Sequence, residues 1–116
     1  MDWTIEREGD TLVLSPEGDL DVANAAVLRQ VFQQVLDRRD CSQLIVDMSQ
    51  VTFLDSSALG VLVAARRAAT AQNVTLLLRD PGPMVRMVLE VTNLQHLFAG
   101  EAVEESVGEK AGETAS

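Results

Sequence analysis

The chain has 116 residues, enough for one domain with a modest core, and 47% of them are hydrophobic, a composition far from that of a disordered chain. Its formal charge is −9, with 18 acidic residues against eight Arg and one Lys, which excludes a phosphate-backbone binder and disfavours an anionic membrane surface. Cys41 is a lone cysteine and cannot form an internal disulfide. No basic start leads into an apolar segment, and the longest apolar run, Ala58 to Ala65, is far short of the roughly 20 residues that span a bilayer. These features predict a soluble, cytoplasmic protein without membrane insertion.

In chain order, Trp3, Ile5 and Arg7 alternate with Thr4, Glu6 and Glu8, and Leu12 and Leu14 flank Val13 beyond the turn-like Gly9-Asp10. This predicts a β-hairpin ended by Pro16 and Gly18. Asp19 or Asp21 then caps a helix whose stripe is Val27, Leu28, Val31, Val35 and Leu36, with Arg38 and Arg39 in its last turn. Leu44-Ile45-Val46 reads as a strand covered on both faces. Phe53 and Leu54 lead to Asp55-Ser56-Ser57 and a helix from about Ser57 to Ala71. Val74 to Leu78 is the next strand, Pro81-Gly82-Pro83 a turn, and Met84 to Val91 a short helix with Pro83 near its first turn. Leu94 to Phe98 reads as a short last strand and Glu101 to Val107 as a weak helix. Strands alternating with helices predict an α/β domain with a largely parallel sheet and a hairpin at one edge. The domain is expected over residues 1–107, with an acidic, disordered tail over 108–116.

Catalytic constellations are scarce. One His (His96), one Cys and no Tyr leave no metal site of typical spacing and no ready triad, and neither phosphate-cradling glycine loop occurs. The expectation is a protein that is not an enzyme and needs no cofactor.

The informative segment is Asp55-Ser56-Ser57-Ala58-Leu59-Gly60-Val61-Leu62. A serine at a helix start is often a cap. The same position also suits a phosphate, because the orphan N–H groups and the helix dipole receive negative charge. Asp55, with Asp19 and Asp21 from another loop, concentrates negative charge at that spot. Ala58 to Ala65 is apolar all round for two turns, so part of it would lie exposed unless neighbouring helices or a partner cover it. Gly60 inside a helix hints at close backbone approach.

At these residues the sequence resembles the STAS family, named for sulphate transporters and anti-sigma factor antagonists. The resemblance runs over about residues 3 to 107. It rests on Gly18-Asp19-Leu20-Asp21, Leu44-Ile45-Val46-Asp47-Met48, Val51 to Gly60 and Pro83 to Leu89. The Phe53-Leu54-Asp55-Ser56-Ser57-Ala58-Leu59-Gly60 block is the specific part. Ala58 stands where many members have Gly, a change a helix accommodates, and residues 108–116 have no clear counterpart.

The resemblance implies a mixed, four- to five-stranded sheet with helices packed on one face, and phosphorylation at Ser56, with Asp21 nearby and Ser57 beside it. It further implies an anti-sigma factor antagonist that, unphosphorylated, binds an anti-sigma factor/serine kinase of histidine-kinase-like ATPase fold. Phosphorylation would break that complex and a metal-dependent, PP2C-type serine phosphatase would restore it. The partner-binding residues expected are Asp19, Asp21, Asp55, Ser57, Ala58, Leu59 and Leu62. The alternative is a STAS scaffold or regulatory module in a signalling assembly or lipid transporter complex.

Overall fold

The computed structural model of the chain describes residues 2–94. The expected last strand beyond Leu94, the weak helix at 101–107, His96 and the acidic tail lie outside those residues.

Strand β1 (Asp2–Glu8) turns through Gly9, at φ +64°, into antiparallel β2 (Thr11–Leu20). Helix α1 (Val22–Asp37) follows, then β3 (Gln43–Asp47), β4 (Val51–Leu54), α2 (Ser56–Ala71), β5 (Thr75–Arg79) and α3 (Pro83–Val91). The sheet runs β1-β2-β3-β5, and β4 pairs with β2. Strands β2 to β5 are mutually parallel, so only β1 is reversed.

Several boundaries differ from the sequence reading. Strand β2 continues through Pro16 and Gly18 to Leu20. Pro16 is tolerated because β3 pairs only with Thr11 to Leu14 and β4 only with Gly18 to Leu20, so no parallel ladder bond falls on the proline. Gly18, at φ +90°, takes up the register shift between those two pairings. Strand β4 is an element the sequence reading lacks. Only Met48, Ser49 and Gln50 separate it from β3, too few for a crossover between separate parallel strands. It is therefore β3 resumed after a short break, with the Gly18 N–H donating to the Gln50 carbonyl (2.9 Å) as pairing restarts.

Helix α1 stops at Asp37, so Arg38 is its C-cap and Arg39 (φ +52°) lies beyond it, rather than both sitting in the last turn. The three helices each end on a non-glycine residue at positive φ: Arg39, Asn73 and Asn93. After α2 and α3 the paired closing bonds of a Schellman motif form, Val74 N–H to Ala69 and Asn73 N–H to Thr70, then Leu94 N–H to Leu89 and Asn93 N–H to Glu90.

One face of the sheet carries the core. Leu12, Leu14 and Leu20 of β2, Leu44 and Val46 of β3 and Leu76 of β5 share a single buried cluster with Leu28, Phe32 and Leu36 of α1, Leu62 and Ala65 of α2, and Val85 and Leu89 of α3. All three helices thus pack on the same face, each buried Leu, Val or Phe contributing on the order of 1.5–3 kcal/mol. Ile45 is only half-buried, so β3 is not covered equally on its two faces as its apolar run implied.

Candidate functional site

Because β2, β3, β4 and β5 run in one direction, their carboxyl ends lie along a single edge of the sheet. Helices α1, α2 and α3 start just beyond the ends of β2, β4 and β5. Such an edge is where α/β sheets place their sites. Strand β4 pairs directly with the end of β2, so the Asp19–Val22 and Asp55–Ser57 segments are neighbours.

Five hydrogen bonds fix these two segments. The Asp55 N–H donates to the Leu20 carbonyl (3.0 Å) and ties one loop to the other. The Thr52 hydroxyl donates to the Asp19 carboxylate (2.8 Å), and the Asn24 side-chain amide donates to the Asp19 carbonyl (2.7 Å). Asp21 caps α1 by accepting from the Asn24 N–H (3.1 Å), and Asp55 caps α2 by accepting from the Ala58 N–H (3.0 Å). Thr52 and Asn24 are positioning residues absent from the sequence reading. Their only signal there is spacing, Asn24 three residues beyond Asp21 and Thr52 three before Asp55.

The cap at α2 decides between the two readings of the serines. Asp55 is the N-cap, so α2 begins at Ser56 rather than about Ser57, and Ser56 and Ser57 are its first two helical residues. Both are exposed, and among the described residues neither hydroxyl nor either N–H has a hydrogen-bond partner. The first intrahelical bond, Leu59 N–H to the Asp55 carbonyl (2.9 Å), lies beyond them. The fold therefore leaves an exposed hydroxyl at position 56 beside two unsatisfied backbone donors at the positive end of a helix.

Of the expected partner-binding residues, Asp19, Asp21, Asp55 and Ser57 gather at this edge. Ala58, Leu59 and Leu62 do not face outward. They are buried in the core, because the side of α2 that they occupy packs on the sheet. The apolar stretch from Ala58 to Ala65 is accommodated by turning two of its small members, Gly60 and Ala64, to solvent.

Gly60 is exposed, and a Cβ added there would meet nothing within 4 Å, so no close backbone approach explains it. It lies four residues after Ser56, on the same side of the helix. A helical side chain leans over the turn preceding its own Cα, so a long residue at 60 would lie over the Ser56 hydroxyl. Gly60 keeps that hydroxyl open.

Asp47, the last residue of β3, lies back along the strands from these helix starts and pairs with Arg79 at the end of β5. Burial on its own would raise its carboxyl, but the Ser49 N–H (2.9 Å) and then the Arg79 guanidinium (2.9 Å) outweigh it and hold the group below the usual carboxylate range. Among the described residues no group of three or more His, Cys, Asp or Glu side chains could hold a metal ion, so Asp19, Asp21 and Asp55 do not converge on one. No helix among those residues is long and apolar enough to cross a membrane.

Comparisons with known proteins agree with this geometry. A STAS-domain containing protein of Pseudomonas aeruginosa (strain UCBPP-PA14) is 32% identical over 93 residues, covering 78% of this chain and 88% of its own length. An anti-sigma F factor antagonist of Paenibacillus polymyxa is 23% identical over 90 residues, covering 78% and 77%. Among solved structures, the anti-sigma factor antagonist SpoIIAA superposes in its unphosphorylated form with a TM-score of 0.70 at 21% identity, over 94% of this chain and 99% of that one. The phosphorylated form from Bacillus gives 0.68 at 21% identity, over 91% and 99%. The STAS domain family model matches residues 2–110, nearly the whole chain, and with the sheet and helix arrangement described above it shows that this chain belongs to the STAS domain family.

Proposed function

We propose that the chain is an anti-sigma factor antagonist switched by phosphorylation of Ser56. The observation that carries this reading is the division of labour at the start of α2. Asp55 does the capping, and Ser56 keeps an exposed hydroxyl with no structural duty. Two relatives named as antagonists, one of them solved in phosphorylated and unphosphorylated forms, support the same reading.

The physical consequence of the modification follows from magnitudes. A phosphate adds about −1.5 to −2 charge near neutral pH. The open N–H groups and the dipole of α2 stabilise a negative group there by roughly 0.3–1 kcal/mol. The neighbouring Asp55, Asp21 and Asp19 oppose it. The capping bonds of Asp55 and Asp21 do not involve Ser56, so the fold persists while the outward-facing potential of the edge becomes strongly negative. A partner that accepts the neutral serine edge is then rejected. That partner is an anti-sigma factor which is also a serine kinase of histidine-kinase-like ATPase fold, and a PP2C-type phosphatase resets the switch.

The test is to incubate the purified chain with the anti-sigma serine kinases of its source organism and ATP, and to follow the Ser56 peptide by mass spectrometry. One phosphate on Ser56, and release of the kinase on labelling, is the expected result. Labelling of Ser56→Ala to the same extent as the parent would sink the proposal. Recovery of the chain in a transporter or scaffold assembly, with Ser56 unlabelled, would favour the regulatory-module alternative.

A further inference from the structure

Among the described residues, β1 is the one element with no buried side chain, and it closes one side of the sheet by pairing with β2 alone. Directly opposed residues share a face, so Trp3, Ile5 and Arg7 stand on the helix side of the sheet with their partners Pro16, Leu14 and Leu12. Leu12 and Leu14 belong to the core, yet Trp3 is 38% and Ile5 40% exposed. The strand also lacks common guards of an open edge. It has no Pro, no Lys and no bulge, its register running unbroken from Asp2 opposite Glu17 to Glu8 opposite Thr11.

The hairpin turn decides which main-chain groups that edge presents. Glu8 pairs with Thr11 across only Gly9 and Asp10, and of these two only Gly9 has a positive φ, +64°. That is a two-residue turn of the II′ kind, whose flanking residues exchange both of their hydrogen bonds. Counting back by twos along the ladder, Glu6, Thr4 and Asp2 also aim their N–H and C=O groups at β2. Trp3, Ile5 and Arg7 therefore aim theirs outwards, a donor and an acceptor from each.

We propose that the chain self-associates through this edge, a second copy of β1 lying antiparallel with Ile5 opposite Ile5 on the two-fold axis. Every residue whose main-chain groups face out then meets another of the same kind. Ile5 meets Ile5, and Trp3 meets Arg7 of the second copy in both directions. The Trp3 ring lies on a guanidinium that Asp40 already holds (2.9 Å), a cation–π contact, and reaches Ile5 of the second copy diagonally. Thr4 meets Glu6, and only the end pair, Asp2 with Glu8, opposes like charges. Moving the axis to Glu6 would set Glu6 against itself, and moving it to Thr4 would set Asp2 against Glu6; both shorten the ladder. The net charge of −9 on each copy keeps the association weak at low salt, and screening strengthens it. This inference stands independently of the Ser56 reading.

The experiment is sedimentation velocity on the full chain over a concentration series, with the emission of Trp3, the only tryptophan, as a second readout. The expected result is a dimer that grows with concentration and with salt, and Trp3 emission that moves to the blue as it forms. Ile5→Lys should abolish the dimer, because lysine would meet lysine on the axis. Ile5→Pro should do the same by deleting an outward N–H, leaving the bonds between β1 and β2 in place. Glu8→Lys should tighten the dimer by about 3- to 10-fold, since two cross-strand charge pairs change at once. Glu6→Lys makes the same change in net charge and should shift it by less than about 2-fold. Melting temperatures confirm that each variant is folded. Equal tightening by the two lysine variants would make net charge the whole cause and overturn the pairing centred on Ile5. A dimer untouched by Ile5→Lys and Ile5→Pro, or a parent monomeric up to roughly 1 mM, overturns the proposal. A monomeric parent whose Trp3 emission shifts only on adding an alternating Lys-Val peptide also overturns it, and gives the edge to a basic partner strand.

Discussion

Two helix starts on the same edge of this sheet are close copies, and they differ where it matters. Helix α1 follows β2 and is capped by Asp21, which accepts from the N–H three residues on. Helix α2 follows β4 and is capped by Asp55 with the same spacing and nearly the same distance. The first helical residue is Val22 in one and Ser56 in the other, both exposed. Folding requires the aspartate and leaves the next position open, since a valine serves there as well as a serine. The hydroxyl at position 56 is thus surplus to the fold, which is the physical ground for assigning it a chemical role.

The sharpest way to break this comparison is to remove the hydroxyl. Ser56→Ala should abolish phosphorylation in the kinase assay while changing stability by less than about 0.5 kcal/mol, as for other surface substitutions. Val22→Ser places a hydroxyl in the equivalent position at α1, and under the proposed function, in which a kinase reads the start of α2, it should acquire no label. Label at position 22 of that variant would mean that any serine at a capped helix start suffices.

Next in size are the caps. Asp55→Ala and Asp21→Ala should each cost about 1 kcal/mol, within the 0.5–2 kcal/mol range of N-cap losses. For a domain of this size that is roughly 4–8 °C in melting temperature. Near-equal losses at the two sites would confirm that they are structural equivalents. If Asp55→Ala were silent and Ser56→Ala costly, the serine would be the true cap and the case for a switch would lose its foundation.

The comparison also shows which parts of the molecule can be read from the chain. Helices α1, α2 and α3 are legible because each carries a continuous apolar stripe, and the phosphorylation candidate is legible because Asp55-Ser56-Ser57 stands just before such a stripe. Strand β4 is not legible. Its four residues follow the Asp47-Met48-Ser49-Gln50 stretch, which looks like a loop, and only the pairing with Gly18 to Leu20 reveals it as the continuation of β3. Pro16 and Gly18 look like breakers because their tolerance depends on where neighbouring strands stop, a long-range fact. Within the site, Ala58, Leu59 and Leu62 mislead for a related reason. They are close to Ser56 along the chain but not on the surface, because the helical turn sends all three inward. The exposed large apolar residues lie elsewhere, among them Val22, Phe53, Met87 and Val91.

Gly60 allows a finer test of why the Ser56 hydroxyl is open. Gly60→Ala should raise stability by about 0.5–1 kcal/mol, because alanine is the better helix former and its Cβ meets no neighbour. Gly60→Gln should remain folded but take up phosphate more slowly, since the longer side chain leans back over Ser56. Equal labelling rates for the glutamine variant and the parent would remove the glycine from the account of access and leave it as a simple weakness in the helix.

The smallest effect separates Asp47 from the two capping aspartates. Like them, Asp47 accepts a backbone N–H, here from Ser49, but it caps no helix and it pairs with Arg79. Its folded carboxyl is held below the ordinary value, so the charged form contributes stability at neutral pH. That contribution is complete above the unfolded pKa, about 3.9, and is lost as the pH falls through the lower folded value. Arg79 is half-exposed, so screening keeps the whole interaction below about 1 kcal/mol. Asp47→Asn should therefore melt slightly below the parent at pH 7, and the gap should close as both are acidified through the lowered folded value. A gap that persisted in acid would show that the asparagine disturbs packing between β3 and β5. A gap that closed would leave charge pairing as the role of Asp47, distinct from the helix capping done by Asp21 and Asp55.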